Sequence, residues 1–206
     1  MRNTFYFIIL FATGLHNATA DSGLVLQGYG ANQSTMEVSV GYGGQDNNHT
    51  FSSVYISYFE TEDTPSVSGT YGEFSNEQTY QTTRIGFALD SFATDKPYTA
   101  GFFGYATKMD TDLIDRFGFG MSIGYGWLPA KSVKVSADIE LMPGAFSNDW
   151  NDNVYLEYGA KLKSSYRFNQ HVILNAQYRY NGIFLNESVF DKLYSNVGVG
   201  IQINFS

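Results

Sequence analysis

The stretch RFGFGMSIGYGWLP, Arg116–Pro129, constrains the fold more than any other part of the chain. Phe117, Phe119, Met121, Ile123, Tyr125 and Trp127 fall on alternate positions, with Gly118, Gly120, Ser122, Gly124 and Gly126 between them. Successive side chains of an extended strand point to opposite faces. One face of this strand is therefore wide, apolar and aromatic, and the other is nearly bare. A soluble, secreted β-sandwich is the alternative, but its outward face is polar. An apolar face broad enough to be an exterior, opposite a face small enough to make room, fits lipid outside and a polar lumen inside.

The same alternation runs through most of the chain after Ser22. MEVSVGY sets Met36, Val38, Val40 and Tyr42 against Glu37, Ser39 and Gly41. TRIGFALD sets Ile85, Phe87 and Leu89 against Arg84, Gly86, Ala88 and Asp90. VKVSADIEL sets Val133 to Leu141 against Lys134, Ser136, Asp138 and Glu140. VYLEYGAKL sets Val154, Leu156, Tyr158, Ala160 and Leu162 against Tyr155, Glu157, Gly159 and Lys161, with Lys163 continuing the inward row. VILNAQYRY sets Val172 to Tyr180 against Ile173, Asn175, Gln177 and Arg179. LYSNVGVGIQINF sets Leu193, Ser195, Val197, Val199, Ile201, Ile203 and Phe205 against Asn196, Gly198, Gly200, Gln202 and Asn204. Weaker alternation marks GLVLQGYG, SSVYISYF and YTAGFFGYATKM, and no helical period competes.

This predicts about ten strands (eight to twelve) of roughly nine to twelve residues, the length of a tilted membrane-crossing strand. The links alternate in length. GGQDNNHT, SFATDKP, LPAKS and RFNQ are short, whereas TEDTPSVSGTYGEFSNEQ, DTDLID, PGAFSNDWNDN and NGIFLNESVFD are longer. ANQST is a short link where parity calls for an outer one, and Ser66–Phe74 is a candidate extra strand above the membrane. Short periplasmic turns and longer outer loops belong to outer-membrane barrels, and an even strand count leaves both termini periplasmic. The expected fold is thus all-β: a closed antiparallel transmembrane barrel. Trp127, Tyr125, Tyr166, Phe168, Tyr178 and Tyr180 are expected near strand ends, as an aromatic girdle.

Residues 1–20, MRNTFYFIILFATGLHNATA, join Arg2 to an apolar core and close on Ala18-Thr19-Ala20, the pattern of a cleaved signal peptide. The barrel domain is then 21–206. Without Arg2 the chain carries 11 basic and 20 acidic residues, net −9, which argues against a nucleic-acid partner. The absence of Cys excludes a disulfide scaffold. A mean hydropathy of −0.21, with no run of some 18 apolar residues, excludes a helical polytopic protein.

The C-terminal alternation ending at Phe205 resembles the last strand of bacterial outer-membrane barrels, although Ser206 follows the aromatic residue. That resemblance implies recognition of this strand by the barrel-assembly machinery. The segment IELMPGAFSNDWNDNVYLEYGAKLKSSYRFNQHVILNAQYRYNG also resembles the second half of YfaZ-type outer-membrane proteins. In those, a Pro-containing loop precedes an acidic, aromatic strand and a GYRY-like strand; here the last motif reads Ala176-Gln177-Tyr178-Arg179-Tyr180. The likeness implies location and fold more than activity.

No constellation points to catalysis. Of three His, His16 lies in the signal segment, His49 in a predicted periplasmic turn and His171 beside another. Neither is placed with a Ser at the outer rim, where a lipid-modifying enzyme would need its base. DNNH (46–49) and NDWNDN (148–153) lack the calcium-loop spacing, so no metal or cofactor is expected. What remains is the inward row of Arg84, Asp90, Arg116, Lys134, Asp138, Glu140, Glu157, Lys161, Lys163 and Arg179. Buried charges persist when paired or hydrated, so these residues form a salt-bridged plug or line a narrow aqueous path. The expected role is porin-like or structural, in contact with outer-membrane lipid and lipopolysaccharide. The alternative is surface recognition through the outer loops. It rests on the aromatics Phe146, Trp150 and Phe190 and on the acidic residues Glu60, Glu62, Asp63, Asp110, Asp112, Asp149 and Asp152.

Overall fold

The computed structural model describes residues 21–45, 50–66, 76–91, 97–110, 115–148, 154–185 and 191–205. Residues 1–20, expected to be a signal peptide, residues 46–49, expected to be a turn, most of the Ser66–Phe74 segment, and Asp112, Asp149, Trp150, Asp152 and Phe190 lie outside them. Ten strands run in chain order: β1 (Asp21–Ala31), β2 (Thr35–Gln45), β3 (Thr50–Asp63), β4 (Gln78–Ser91), β5 (Tyr98–Met109), β6 (Arg116–Ala130), β7 (Val133–Pro143), β8 (Val154–Arg167), β9 (Val172–Leu185) and β10 (Asp191–Phe205). Each pairs with its neighbours in sequence, and β10 returns to β1 to close the barrel. All pairings are antiparallel, and the closing register runs from Leu24 opposite Phe205 to Ala31 opposite Gly198. Closure leaves no edge strand, so the ladders continue around the whole wall. The end where β1 starts and β10 finishes is called proximal, and the opposite end distal.

The wall obeys the alternation. Ile123, Tyr125 and Trp127 of β6 are each about two-thirds exposed, at 66%, 68% and 66%. Val197, Val199 and Ile201 continue the apolar exterior on β10, while Asn196, just before Val197 on the same strand, is buried. The bare inner face of β6 is filled from elsewhere. A Cβ on Gly120 would stand 2.6 Å from the Phe103 ring, and one on Gly124 would overlap the Asp138 carboxylate and the Thr99 hydroxyl. Glycine is required there because long inward side chains of β5 and β7 lie directly against the β6 backbone.

Four strands have the expected length, and six, of 14 or 15 residues, exceed it, with the excess mostly at the distal end. β9 continues through Asn181, Ile183 and Leu185, all buried, so the link expected from Asn181 starts only after Leu185. Tyr178 and Tyr180 consequently sit in mid-strand, opposite Leu162 and Ala160, and are not rim residues. Tyr125, opposite the first residue of β5, and Tyr166, opposite the first residue of β7, do stand at the proximal rim with Trp127. Glu60, Glu62 and Asp63, expected in an outer loop, belong to β3. Glu60 accepts from Gln81 Nε2 at 2.9 Å, and Asp63 accepts from the Ser195 backbone at 3.1 Å and binds Lys192 at 2.8 Å.

Three register shifts interrupt the ladders, one of them between Trp127 and Ala130 of β6, and the other two re-aim side chains at the core. Between Val154 and Leu156 the register slips, turning Val154 inward and Tyr155 outward, the reverse of the strict pattern. Between Lys192 and Tyr194 an extra residue, Leu193, is also turned into the core. A bulge inserts one residue and re-aims its neighbours, which a period-two reading does not anticipate. Ser66 makes an isolated bridge to Lys192, with backbone hydrogen bonds of 2.8 and 3.1 Å, rather than opening a described strand.

Candidate functional site

The lumen is organised in layers. At the distal end an apolar layer joins Phe59, Tyr80, Met109, Val154, Ile183, Leu185, Leu193 and Tyr194, all at most 5% exposed. The rings of Phe59, Tyr80 and Tyr194 form a triangle with centroid separations of 6.3, 5.2 and 5.1 Å, within the range of favourable aromatic contact.

Beside it lies a charged knot. Glu157 accepts from Arg116 Nη2 at 2.8 Å, Asn181 Nδ2 at 2.9 Å and the Tyr80 hydroxyl at 2.5 Å. The side chains of Arg116 and Glu157 are wholly buried. Arg116 also reaches the Met142 carbonyl at 3.4 Å, and its guanidinium lies 5.4 Å from the Tyr105 ring centroid. Desolvating two ions is costly, and the pair persists because its carboxylate is saturated by three donors.

The middle layer holds Arg84 and Arg179. Arg84 binds Glu140 at 2.8 Å, and Lys161 pairs with the other oxygen of the same carboxylate. Arg179 pairs with Glu37. With the Gln177 amide oriented oxygen-first, that oxygen accepts from Arg179 Nη2 and Nε at 2.7 and 2.9 Å. Arg84 stacks 4.6 Å from the Phe103 centroid, and Arg179 lies 4.7 Å from Tyr29 and 5.2 Å from Phe59. A planar, weakly hydrated guanidinium tolerates such surroundings far better than an ammonium would.

Nearer the proximal end, Asp90 takes both Lys134 and Lys163, the latter at 3.4 Å. Asp138 accepts from Thr99 and, at 3.3 Å, from Ser136. Arg84 with Glu140, Arg116 with Glu157, Lys134 and Lys163 with Asp90, and Arg179 with Glu37 all join strands that are not ladder neighbours. Such pairs can meet only across the lumen. All ten inward charges singled out from the sequence therefore stand on the inner face. Nine carry ion pairs, and Asp138 is held by hydroxyls.

Below the middle layer the barrel holds a cavity of about 230 Å³. Its walls include Arg84, Glu140, Arg179, Lys161 and Asp90, and it runs proximally past Gln27, Gln202, Asn204, Arg167 and Gln170. Phe59, Tyr80, Tyr194 and the Arg116–Glu157 pair do not line it. The lumen is thus filled distally and hollow proximally.

Several of these residues were not singled out from the sequence. Glu37 stood on the polar face of MEVSVGY, and its spacing was sufficient signal. Arg167 was assigned to a link, yet β8 runs through it. Phe59, Tyr80 and Tyr194 carry no sequence signal that separates an inward aromatic from a girdle aromatic. Of the two His after residue 20, His171 contacts the Asn204 carbonyl at 3.1 Å at the proximal rim, and His49 lies outside the described residues. Phe146, in the short helical turn Gly144–Phe146, is 56% exposed at the distal end. Among the described residues no group of three or more His, Cys, Asp or Glu is arranged to hold a metal.

No protein-family profile and no curated protein sequence matches the chain. Among solved structures it is similar to outer-membrane expressed OmpT of Vibrio cholerae, at 13% identity and a TM-score of 0.40, covering 91% of this chain. It spans 62% of the length of that protein. The NanC porin is similar at 9% identity and a TM-score of 0.44, over 88% of this chain and 100% of the porin. Neisserial surface protein A (NspA) is similar at 14% identity and a TM-score of 0.31, over 89% of this chain and 94% of that one.

Proposed function

We propose that the chain is a small, non-catalytic barrel of a Gram-negative outer membrane, with its proximal end in the periplasm and its lumen stoppered at the distal end. Its role on this reading is structural or surface-presenting rather than that of an open pore. The observation that carries it is the fully buried Arg116–Glu157 pair beside the Phe59–Tyr80–Tyr194 triangle, inside a wall whose exterior is apolar and aromatic. An open porin-like path would need hydrated charges at that level, and these have exchanged water for each other. Contact with lipid and lipopolysaccharide follows from the exterior, and recognition by the barrel-assembly machinery from the alternating strand that ends at Phe205. Kinship with YfaZ-type proteins belongs to the same reading and rests on the segment from Ile139 to Gly182.

A stoppered lumen shifts recognition to the distal links, which favours surface binding as a second reading, with the exposed Phe146 as its one described aromatic contact. The test is conductance of the refolded chain in a planar bilayer. The parent is expected to be silent. Combined Tyr80→Ala and Tyr194→Ala changes, which remove two of the three rings of the triangle, are expected to give openings. Steady openings of the parent would sink the closed-lumen reading.

A further inference from the structure

The proximal cavity is not explained by closure of the barrel. A plug that only filled space would fill it throughout, as the distal half does. We propose that this cavity is a dead-end binding site for a small anion, a carboxylate- or phosphate-bearing solute of a few heavy atoms, entering from the proximal end. The inference rests on the closed-lumen reading, which makes the cavity blind rather than part of a path.

Two observations carry it. The first is charge. Five cationic side chains line the cavity: Arg84, Lys161, Lys163, Arg167 and Arg179. Lys134 reaches it by binding Asp90. The carboxylates lining it are four: Glu37, Asp90, Asp138 and Glu140. Among the described residues the lining therefore carries a surplus of one positive charge, inside a chain whose net charge is −8. Charge focused in a low-dielectric recess attracts the opposite sign. A lumen evolved only to be neutralised has no reason to keep such a surplus.

The second is the neutral lining. Gln27, Gln202, Asn175 and Tyr55 supply amide and hydroxyl groups around the charged wall, the mixture that orients a polar solute. At about 30 Å³ for each water, the cavity holds on the order of eight waters, which limits the occupant to a small acid.

The test uses the refolded full-length barrel in detergent micelles, titrated calorimetrically with L-lactate and with inorganic phosphate, and with lactamide and choline as neutral and cationic controls. Saturable binding of lactate, phosphate or both, with neither control binding, is expected; which anion binds identifies the preferred oxyanion. Arg167→Gln at the open end, and Lys163→Gln, whose Asp90 partner keeps Lys134, are each expected to weaken binding at least tenfold. Arg84→Gln is expected to abolish it, and heat-modifiability on a gel checks that each variant is folded. Absence of anion binding by the folded parent overturns the site, as does binding unchanged in folded Arg167→Gln and Lys163→Gln variants. Binding by a parent that also conducts would preserve the site and overturn the closed lumen. A silent parent that binds neither anion would do the reverse.

Discussion

Replacing Glu157 by Gln isolates the energetics of the distal knot. The substitution keeps shape and an acceptor oxygen for Tyr80 and Asn181, which now bind Oε1 at 2.5 and 2.9 Å. It removes the carboxylate that pairs with Arg116, a guanidinium of zero side-chain exposure whose Nε and Nη1 already lack partners among the described residues. Leaving a buried cation uncompensated costs about 3–5 kcal/mol. That is a large share of the roughly 5–15 kcal/mol by which domains are stable. Arg116→Met strands the carboxylate instead and is expected to cost a similar amount. The pair of changes together removes both charges and keeps the neutral hydrogen bonds, so the double variant is expected within about 2 kcal/mol of the parent. Additive behaviour would instead give some 6–10 kcal/mol, the sum of the two single costs. Urea unfolding in phospholipid vesicles, followed by tryptophan fluorescence, measures all three. A Glu157→Gln cost below about 0.5 kcal/mol, within the range of ordinary surface changes, would refute the reasoning. So would a double variant as unstable as the sum of the singles.

Other perturbations separate the two faces of the wall. Gly124→Ala drives a methyl into Asp138 and Thr99 and is expected to cost about 1–3 kcal/mol in the same unfolding assay. Gly28→Ala and Gly30→Ala meet no atom within 4 Å and are expected to be neutral or to stabilise by up to about 1 kcal/mol through lower unfolded-state entropy. On the exterior, Ile123, 66% exposed and in the middle of β6, is expected to tolerate Leu, whereas Ile123→Arg should cost about 2–4 kcal/mol in a bilayer. Equal stability of the Leu and Arg variants in vesicles would mean that this face does not meet lipid.

The barrel was largely legible because its information is local. Whether a residue faces lipid or lumen is decided by its parity within a strand, and a one-residue slip would exchange the two faces entirely, so register is strongly specified. Strand number, order and the inward set from Arg84 to Arg179 follow from that parity alone. Pairing across the lumen does not. Glu140 lies diagonal to Lys161 on the adjacent strand but takes Arg84 from the opposite wall as well, and no spacing in sequence connects residues 84 and 140. The distal stopper was missed for a related reason. Tyr80 falls between the link that ends at Gln78 and the alternation that starts at Thr83, and Tyr194 follows an extra residue, so neither declares its face. Parity also says nothing of volume. Ten inward charges fill the lumen or leave space according to how far each side chain leans, and the glycines of β6 let Asp138 and Phe103 lean against the wall. The hollow beneath Arg84 is therefore a consequence of three-dimensional packing: the same residues, paired only with their ladder neighbours, would have left an open tube.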